Sequence, residues 1–231
     1  MGIKTEKEYE VHYYEVNYKL ECKISSIINY FCDIGTFQSE SLGVGIDYLT
    51  ERRLAWVFYR YDINIKRYPK FGEKIKVVTK AKSFKKFYAS REYEIYDENN
   101  EKIVDGEGIF LLINIDKRRA VRIPDDQYTA YGVELDEKSD IKIEKLEKLQ
   151  EVTSKNFFKV RYGDIDSNMH VNNVRYVEWA VESLPLEIVL NYELKDLSVV
   201  FEKECKYGAE IIASYELRED NDELIVLHKI E

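Results

Sequence analysis

The stretch INIKRYPKFGEKI, Ile63 to Ile75, aligns without a gap on VVFEKECKYGAEI, Val199 to Ile211. Both open on apolar residues, pass through Lys-aromatic-Gly (Lys70, Phe71 and Gly72 against Lys206, Tyr207 and Gly208) and close on an isoleucine. Each glycine stands between two strand-like runs, where a turn or bulge uses its backbone freedom. So short a match decides little alone. It decides the fold because the same order of elements surrounds each copy.

In the first half, the extended YEVHYYEVNY leads into a helical stretch near 25–42. Ile27, Ile28, Phe31, Ile34, Phe37 and Leu42 recur there at nearly helical spacing, and SLGVG stops the helix. Three strand-like runs follow: LAWVFYRYDINIKRY, KIKVVTKAKSFKKFYASREYEIYD and KIVDGEGIFLLINI. The middle run is long enough for two strands or one bent strand, and DENNEK after it reads as a hairpin turn. In the second half NFFKVRYGDID is again extended. VNNVRYVEWAVESLP is again helical, with Val174, Val177, Val181 and Leu184 on one face and Pro185 ending it. LKDLSVVFEKEC, AEIIASYELRE and DELIVLHKIE then read as strands, with EDND turning between the last two.

A long helix buries its apolar stripe against a curved antiparallel sheet, so this pattern predicts an α+β chain of two such units in tandem. The expected division is a first repeat over 1–118, a charged linker with one short helix over 119–152, and a second repeat over 153–231. The second half has no counterpart of KIVDGEGIFLLINI. Either the chain is truncated there or the second sheet ends one strand short, and an uncovered neighbour would leave an edge exposed.

Bulk properties narrow the function. A chain of 231 residues builds a core unaided, and no run approaches the ~20 apolar residues of a membrane span. MGIKTEKEYE lacks the apolar core of a signal peptide, which predicts a cytoplasmic protein. Three cysteines at irregular spacing suggest neither a disulfide framework nor a zinc site, and three scattered histidines offer a metal little more. No metal or nucleotide cofactor is expected. A net charge of −9 argues against broad nucleic-acid binding. The basic clusters SFKKFYASR and DKRRAVRIP read first as solvated strand faces or turns. The 19 tyrosines favour sheet, since tyrosine suits a half-buried pleated surface with a wet edge.

Two segments break the strand pattern. Asp164–Asn173, DIDSNMHVNN, lies between a strand and a helix, and Asp166, Asn168 and His170 alternate so that an extended turn sets them on one face. Helix capping accounts for Asn172 or Asn173 but not for a histidine inside the run. In the second segment, Phe201–Lys206, strand periodicity puts Glu202 and Glu204 on one side and Lys203 and Cys205 on the other. That count points both glutamates outward, although a bulge reverses it.

The run D-I-D-S-N-M-H-V-N-N-V-R-Y with a later E-K-E-C resembles the acyl-acyl-carrier-protein thioesterase family, enzymes that release fatty acids from acyl carrier protein. The resemblance covers nearly the whole chain and implies two hot-dog folds in tandem. Single-domain hot-dog thioesterases acting on coenzyme A esters share the H-V-N-N part alone. Carried over by position, the resemblance makes Asp166, Asn168, His170 and Glu204 catalytic, and matches Cys205 to a cysteine once proposed as the nucleophile. Chemistry then offers two routes. In one, Glu204 activates water, Asn168 holds the water or the thioester carbonyl, His170 polarises or exchanges protons, and Asp166 orients His170. In the other, Cys205 attacks and forms an acyl-enzyme. Exchanging one thioester for another gains little, which favours water. The N–H groups at the start of the next helix are the expected oxyanion donors.

The first repeat lacks the catalytic run. The place before its helix reads CKISSII, and the counterpart of Glu204 is Tyr68. Ile27, Phe31, Ile34 and Phe37 are candidates for lining an acyl tunnel as well as for core. The implied partners are acyl carrier protein and a fatty acyl chain, met by a monomer or homodimer. Lys85, Lys86, Arg118, Arg119, Lys203 and Lys206 are candidate contacts for the acidic carrier. An acyl-coenzyme A thioesterase and a non-catalytic acyl-binding module are the competing readings.

Overall fold

The computed structural model describes residues 2–134, 141, 143–221 and 223–231. In chain order its elements are β1 (Lys4–Glu10), α1 (Ile24–Ser41), α2 (Ile46–Glu51), β2 (Leu54–Ile65), β3 (Lys74–Lys85), β4 (Tyr88–Tyr96), β5 (Lys102–Asn114) and β6 (Arg119–Ala120). Then come α3 (Asp125–Tyr131), β7 (Ser154–Lys159), α4 (Asn173–Glu182), α5 (Leu186–Asn191), β8 (Asp196–Val200), β9 (Glu210–Asp220) and β10 (Glu223–Ile230). The chain divides into two compact units, Met1–Glu144 with Lys195–Val200, and Lys145–Leu194 with Phe201–Glu231.

Unit one is an antiparallel sheet in the order β1-β3-β4-β5-β2-β8, with β6 paired to β5. Helix α1 lays its apolar stripe on this sheet, and Ile27, Phe31 and Ile34 are wholly buried. Phe31 stacks on Tyr93 with ring centroids 4.6 Å apart. Glycine in β5 makes room for that aromatic layer, since a Cβ at Gly108 would stand 3.1 Å from the Tyr61 ring and 3.2 Å from that of Tyr93. Three of the four candidate tunnel residues are thus close-packed core. The fourth, Phe37, is exposed, with the Lys7 ammonium 5.4 Å from its ring centroid.

Unit two repeats the theme on a smaller scale. Its sheet runs β10-β9-β7, and Val160, Val171, Trp179 and Ile211 form its core. Among the described residues β10 is the last strand.

Several elements differ from the sequence expectation. The long middle run resolves into β3 and β4, joined through Lys86, whose φ of 55° makes the tight turn. YEVHYYEVNY is not one extended segment: β1 ends at Glu10, and Tyr13–Glu15 form a 3-10 turn. Helix α4 stops at Glu182 with Ser183 as its C-cap, short of the expected Leu184, and Pro185 is the N-cap of α5. LKDLSVVFEKEC is a strand only through Val200. Residues 201–206 carry no regular structure, and β8 pairs with β2 in unit one. The stretch 119–152 contains β6 and α3, whose Tyr128 and Tyr131 are buried in unit one; positions 135–140 and 142 of the charged stretch lie outside the described residues. In the EDND turn Asn221 has φ 46°, while Asp222 lies outside the described residues.

Candidate active site

The loop between β7 and α4 is built from its buried end. Asp164 closes the 3-10 turn Tyr162–Asp164 and its side chain is fully buried. It accepts from the Arg161 backbone N–H at 2.8 Å and from Arg161 Nε and Nη2 at 3.2 and 3.0 Å, with Arg175 Nε 3.5 Å away. Burial alone would raise its pKa. The bonds from Arg161 and the charges of both arginines outweigh that and hold the carboxyl below the usual range.

From this anchor the chain reverses tightly. Ile165 and Val171 form an antiparallel bridge. Inside it, Asp166 N–H donates to the His170 carbonyl at 2.8 Å, and Met169 N–H to the Asp166 carbonyl at 3.1 Å. Met169 takes the left-handed conformation, φ 63°, so that His170 emerges beside the turn. Asp166 Oδ1 accepts the Asn168 N–H at 2.8 Å, and its Oδ2 lies 3.5 Å from Asn168 Nδ2. The Asp166 carboxylate therefore orients Asn168. This corrects the expectation that it orients His170, whose bond with Asp166 is main-chain.

The partner of His170 is Glu204. Its Oε2 lies 3.4 Å from His170 Nε2, with the two side chains 40% and 21% exposed. Glu204 is exposed, as the strand count expects, but its segment is not a strand and no pleat sets its direction. What fixes it is the next peptide: Val171 N–H donates to the Cys205 carbonyl at 2.9 Å, and Cys205 N–H to Tyr176 Oη at 3.0 Å. Cys205 itself is a half-buried free thiol. Burial, the Cys205 thiol and the Glu204 carboxylate all push the Tyr176 phenol well above its ordinary pKa, so it stays protonated. The structure thus pairs His170 with Glu204, Asp166 with Asn168, and Cys205 with Tyr176.

The start of α4 is less available than expected. Asn172 N–H donates to the Asp164 carbonyl, Val174 N–H to Asn172 Oδ1 and Arg175 N–H to the Asn172 carbonyl. With these donors occupied, Asn173 N–H, the Asn168 carboxamide and the His170 ring are the polar candidates for facing a carbonyl.

Unit one contains the same loop in backbone form. Val16 and Cys22 form the bridge, Asn17 N–H donates to the Glu21 carbonyl at 2.7 Å, and Leu20 is left-handed at φ 59°. Asn17 Oδ1 accepts from Lys19 N–H at 2.8 Å, as Asp166 does from Asn168. Gly72 and Gly208 share φ values of 76° and 78°. The first-repeat counterpart of Asp166–His170 is therefore Asn17-Tyr18-Lys19-Leu20-Glu21. This corrects the assignment to CKISSII, which is shifted toward the helix. Tyr68 does occupy the place of Glu204.

Sequence reasoning passes over Asp164 and Tyr176. The first shows a signal in hindsight, since Glu15 occupies the same register and accepts the His12 backbone N–H as Asp164 accepts that of Arg161. Of the candidate carrier contacts, Lys86, Arg118 and Arg119 are exposed in unit one, with Lys85 half-buried, and Lys203 and Lys206 are exposed in unit two. A concavity lined by Ile188, Tyr192, Leu217 and Leu224 contains none of the site residues. Among the described residues no helix is long and apolar enough to cross a membrane.

Two helix-on-sheet units, the second carrying the His170–Glu204 pair on the loop before its helix, define a tandem hot-dog protein with one candidate site. Family models described as the acyl-ACP thioesterase N-terminal and C-terminal domains match residues 2–131 and 146–231, and the chain belongs to that family. It is 28% identical over 217 residues to acyl-[acyl-carrier-protein] hydrolase FATB3, chloroplastic, of Cuphea viscosissima, covering 89% of this chain and 53% of that protein. It is 26% identical over 238 residues to the chloroplastic oleoyl-acyl carrier protein thioesterase of Coriandrum sativum, covering 95% and 64%. The chain thus spans between half and two thirds of the length of these relatives. The 12:0-ACP thioesterase from Umbellularia californica superimposes with a TM-score of 0.85 at 22% identity, over 99% of this chain and 88% of that one. A crystal structure from Lactobacillus plantarum gives 0.92 at 25% identity, over 100% and 91%.

Proposed function

We propose that this chain hydrolyses the thioester joining a fatty acyl group to acyl carrier protein, releasing free fatty acid and the carrier thiol. The observation that carries this reading is the approach of Glu204 Oε2 to His170 Nε2, 3.4 Å, beside Asn168. A carboxylate and an imidazole at that distance share a proton readily once substrate draws them together. Glu204 takes a proton from the attacking water as the water oxygen bonds to the acyl carbon. Asn168, oriented by Asp166, faces the carbonyl oxygen on which negative charge gathers. Collapse expels the thiolate, a good leaving group, and the proton that Glu204 took from water passes by way of His170 to the sulfur, which restores both side chains. Cys205 supports the loop through its main chain, and its thiol is not required.

The second repeat supplies the chemistry, and the division between the repeats falls within 119–152. Enzyme and carrier are both acidic, so docking is local; Lys203 and Lys206 flank Glu204 in sequence. Three free cysteines suit a reducing compartment, and the cytoplasm is the one proposed.

The test is thiol release from matched acyl-carrier-protein and acyl-coenzyme A panels. Glu204→Ala should lose at least ~10²-fold, as for a removed acid–base group, while Cys205→Ser retains most activity. Near-normal turnover by a folded Glu204→Ala protein defeats the mechanism. Preference for coenzyme A esters changes the carrier, and no release from either panel leaves an acyl-binding module.

A further inference from the structure

The two loops share nearly every main-chain bond, so the bonds they do not share are informative. Cys22 N–H donates to the Pro69 carbonyl at 2.7 Å, as Val171 N–H donates to that of Cys205 at 2.9 Å. Lys23 N–H donates to the Glu15 carbonyl at 2.9 Å, as Asn172 N–H donates to that of Asp164 at 2.9 Å. Gly72 N–H and Gly208 N–H reach the Val11 and Val160 carbonyls at 2.9 and 3.1 Å.

The bond from Cys205 N–H to Tyr176 Oη has no such counterpart. In the first repeat the place of Cys205 is held by Pro69, which has no N–H, and that of Tyr176 by Ile27, which has no acceptor. Donor and acceptor are missing together from the repeat that has Tyr68 and Glu21 in the places of Glu204 and His170. The fold is complete without this bond.

In the catalytic repeat Tyr176 holds the Glu204 segment at both ends. Its ring meets Phe201 edge-on at 6.0 Å, its oxygen accepts from Cys205 at 3.0 Å, and Trp179 fixes it from behind at 5.5 Å. Residues 201–206 have no strand or helix to hold them, so this bond orients the Glu204–Cys205 peptide directly. We infer that Tyr176 is a positioning residue, whose phenol sets the Glu204–Cys205 peptide so that the Glu204 carboxylate meets His170. The inference rests on the hydrolase reading of that pair.

The test uses the full chain. Tyr176→Phe keeps the ring contacts and removes the acceptor; kcat should fall about tenfold, the rate equivalent of one hydrogen bond, with KM nearly unchanged. Cys205→Pro, which copies Pro69, removes the donor and should match that loss, while Cys205→Ser keeps it and stays active. In a Glu204→Gln background Tyr176→Phe should cost less than about twofold more, because the group it positions is gone. Thermal melting establishes that each variant is folded, and Cys205→Pro carries the test if Tyr176→Phe does not fold. A folded Tyr176→Phe enzyme with unchanged kcat, beside an inactive Glu204→Gln, overturns the role of Tyr176 alone. So does a loss that recurs undiminished in the Glu204→Gln background. Full turnover by Glu204→Gln overturns the Glu204–His170 reading, and this inference with it.

Discussion

Replacing Asp164 by asparagine should loosen the reactive loop at its root. The side chain is fully buried and accepts the Arg161 backbone N–H at 2.8 Å. The Arg161 side chain is 75% exposed, so its ion pair is screened and contributes at most ~1 kcal/mol. The backbone N–H bond to a buried carboxylate is worth ~1.5–3 kcal/mol. Asparagine keeps one oxygen acceptor and the shape but loses the charge, so the expected loss is about 2 kcal/mol, below the ~3–5 of a broken buried pair. Trp179 reports on unit two in urea unfolding, read in a Trp56→Phe background since the chain has two tryptophans. With a slope of ~1–3 kcal/mol per molar urea, the midpoint should fall by about 1 M. The sign with pH follows from the depressed folded pKa. Stability from Asp164 is fully present above the unfolded carboxyl value, ~3.9, and is lost as pH falls through the lower folded value. The gap between parent and variant should stay constant from about pH 5 to 8 and narrow toward pH 3. An unchanged midpoint at pH 7, or a gap indifferent to acid, refutes Asp164 as the anchor.

Gly208→Ala should cost about 1 kcal/mol, purely from the backbone, because φ is +78° and an added Cβ meets nothing within 4 Å. Gly72→Ala, at φ +76°, should cost the same in unit one, and urea midpoints check both. His228 in β10 has its pKa pushed down to about 4 by burial, so it is neutral when folded. Stability should be full above the unfolded value of ~6.5 and fall as pH drops toward 4; His228→Phe should flatten the thermal midpoint over that range.

The helices and most strands are legible because their apolar periods are long and uninterrupted. The repeat is legible from Lys70-Phe71-Gly72 and Lys206-Tyr207-Gly208, whose glycines prove to share one backbone conformation. Asp166, Asn168 and His170 are legible as one motif. Glu204 is not, because alternation holds only where a strand has pleats, and the strand stops at Val200. The first-repeat loop is hidden for another reason. Asn17, Lys19 and Glu21 share little chemistry with Asp166, Asn168 and His170, and their likeness lies in main-chain bonds that side chains do not spell. Nor does the sequence show that β8 pairs with β2, since partner choice in a sheet is a long-range matter.

The twice-built loop also makes the first repeat an internal reference for the second. Its turn closes around Asn17, Lys19 and Glu21, with none of the side chains proposed to react, so folding the turn and arming it are separable. Exchanging the pair for its first-repeat namesakes together, His170→Glu with Glu204→Tyr, asks about reactivity, because the molecule already carries those side chains at the corresponding places. Run in the other direction, the same exchanges offer the first repeat as ready-made ground for a second reactive centre.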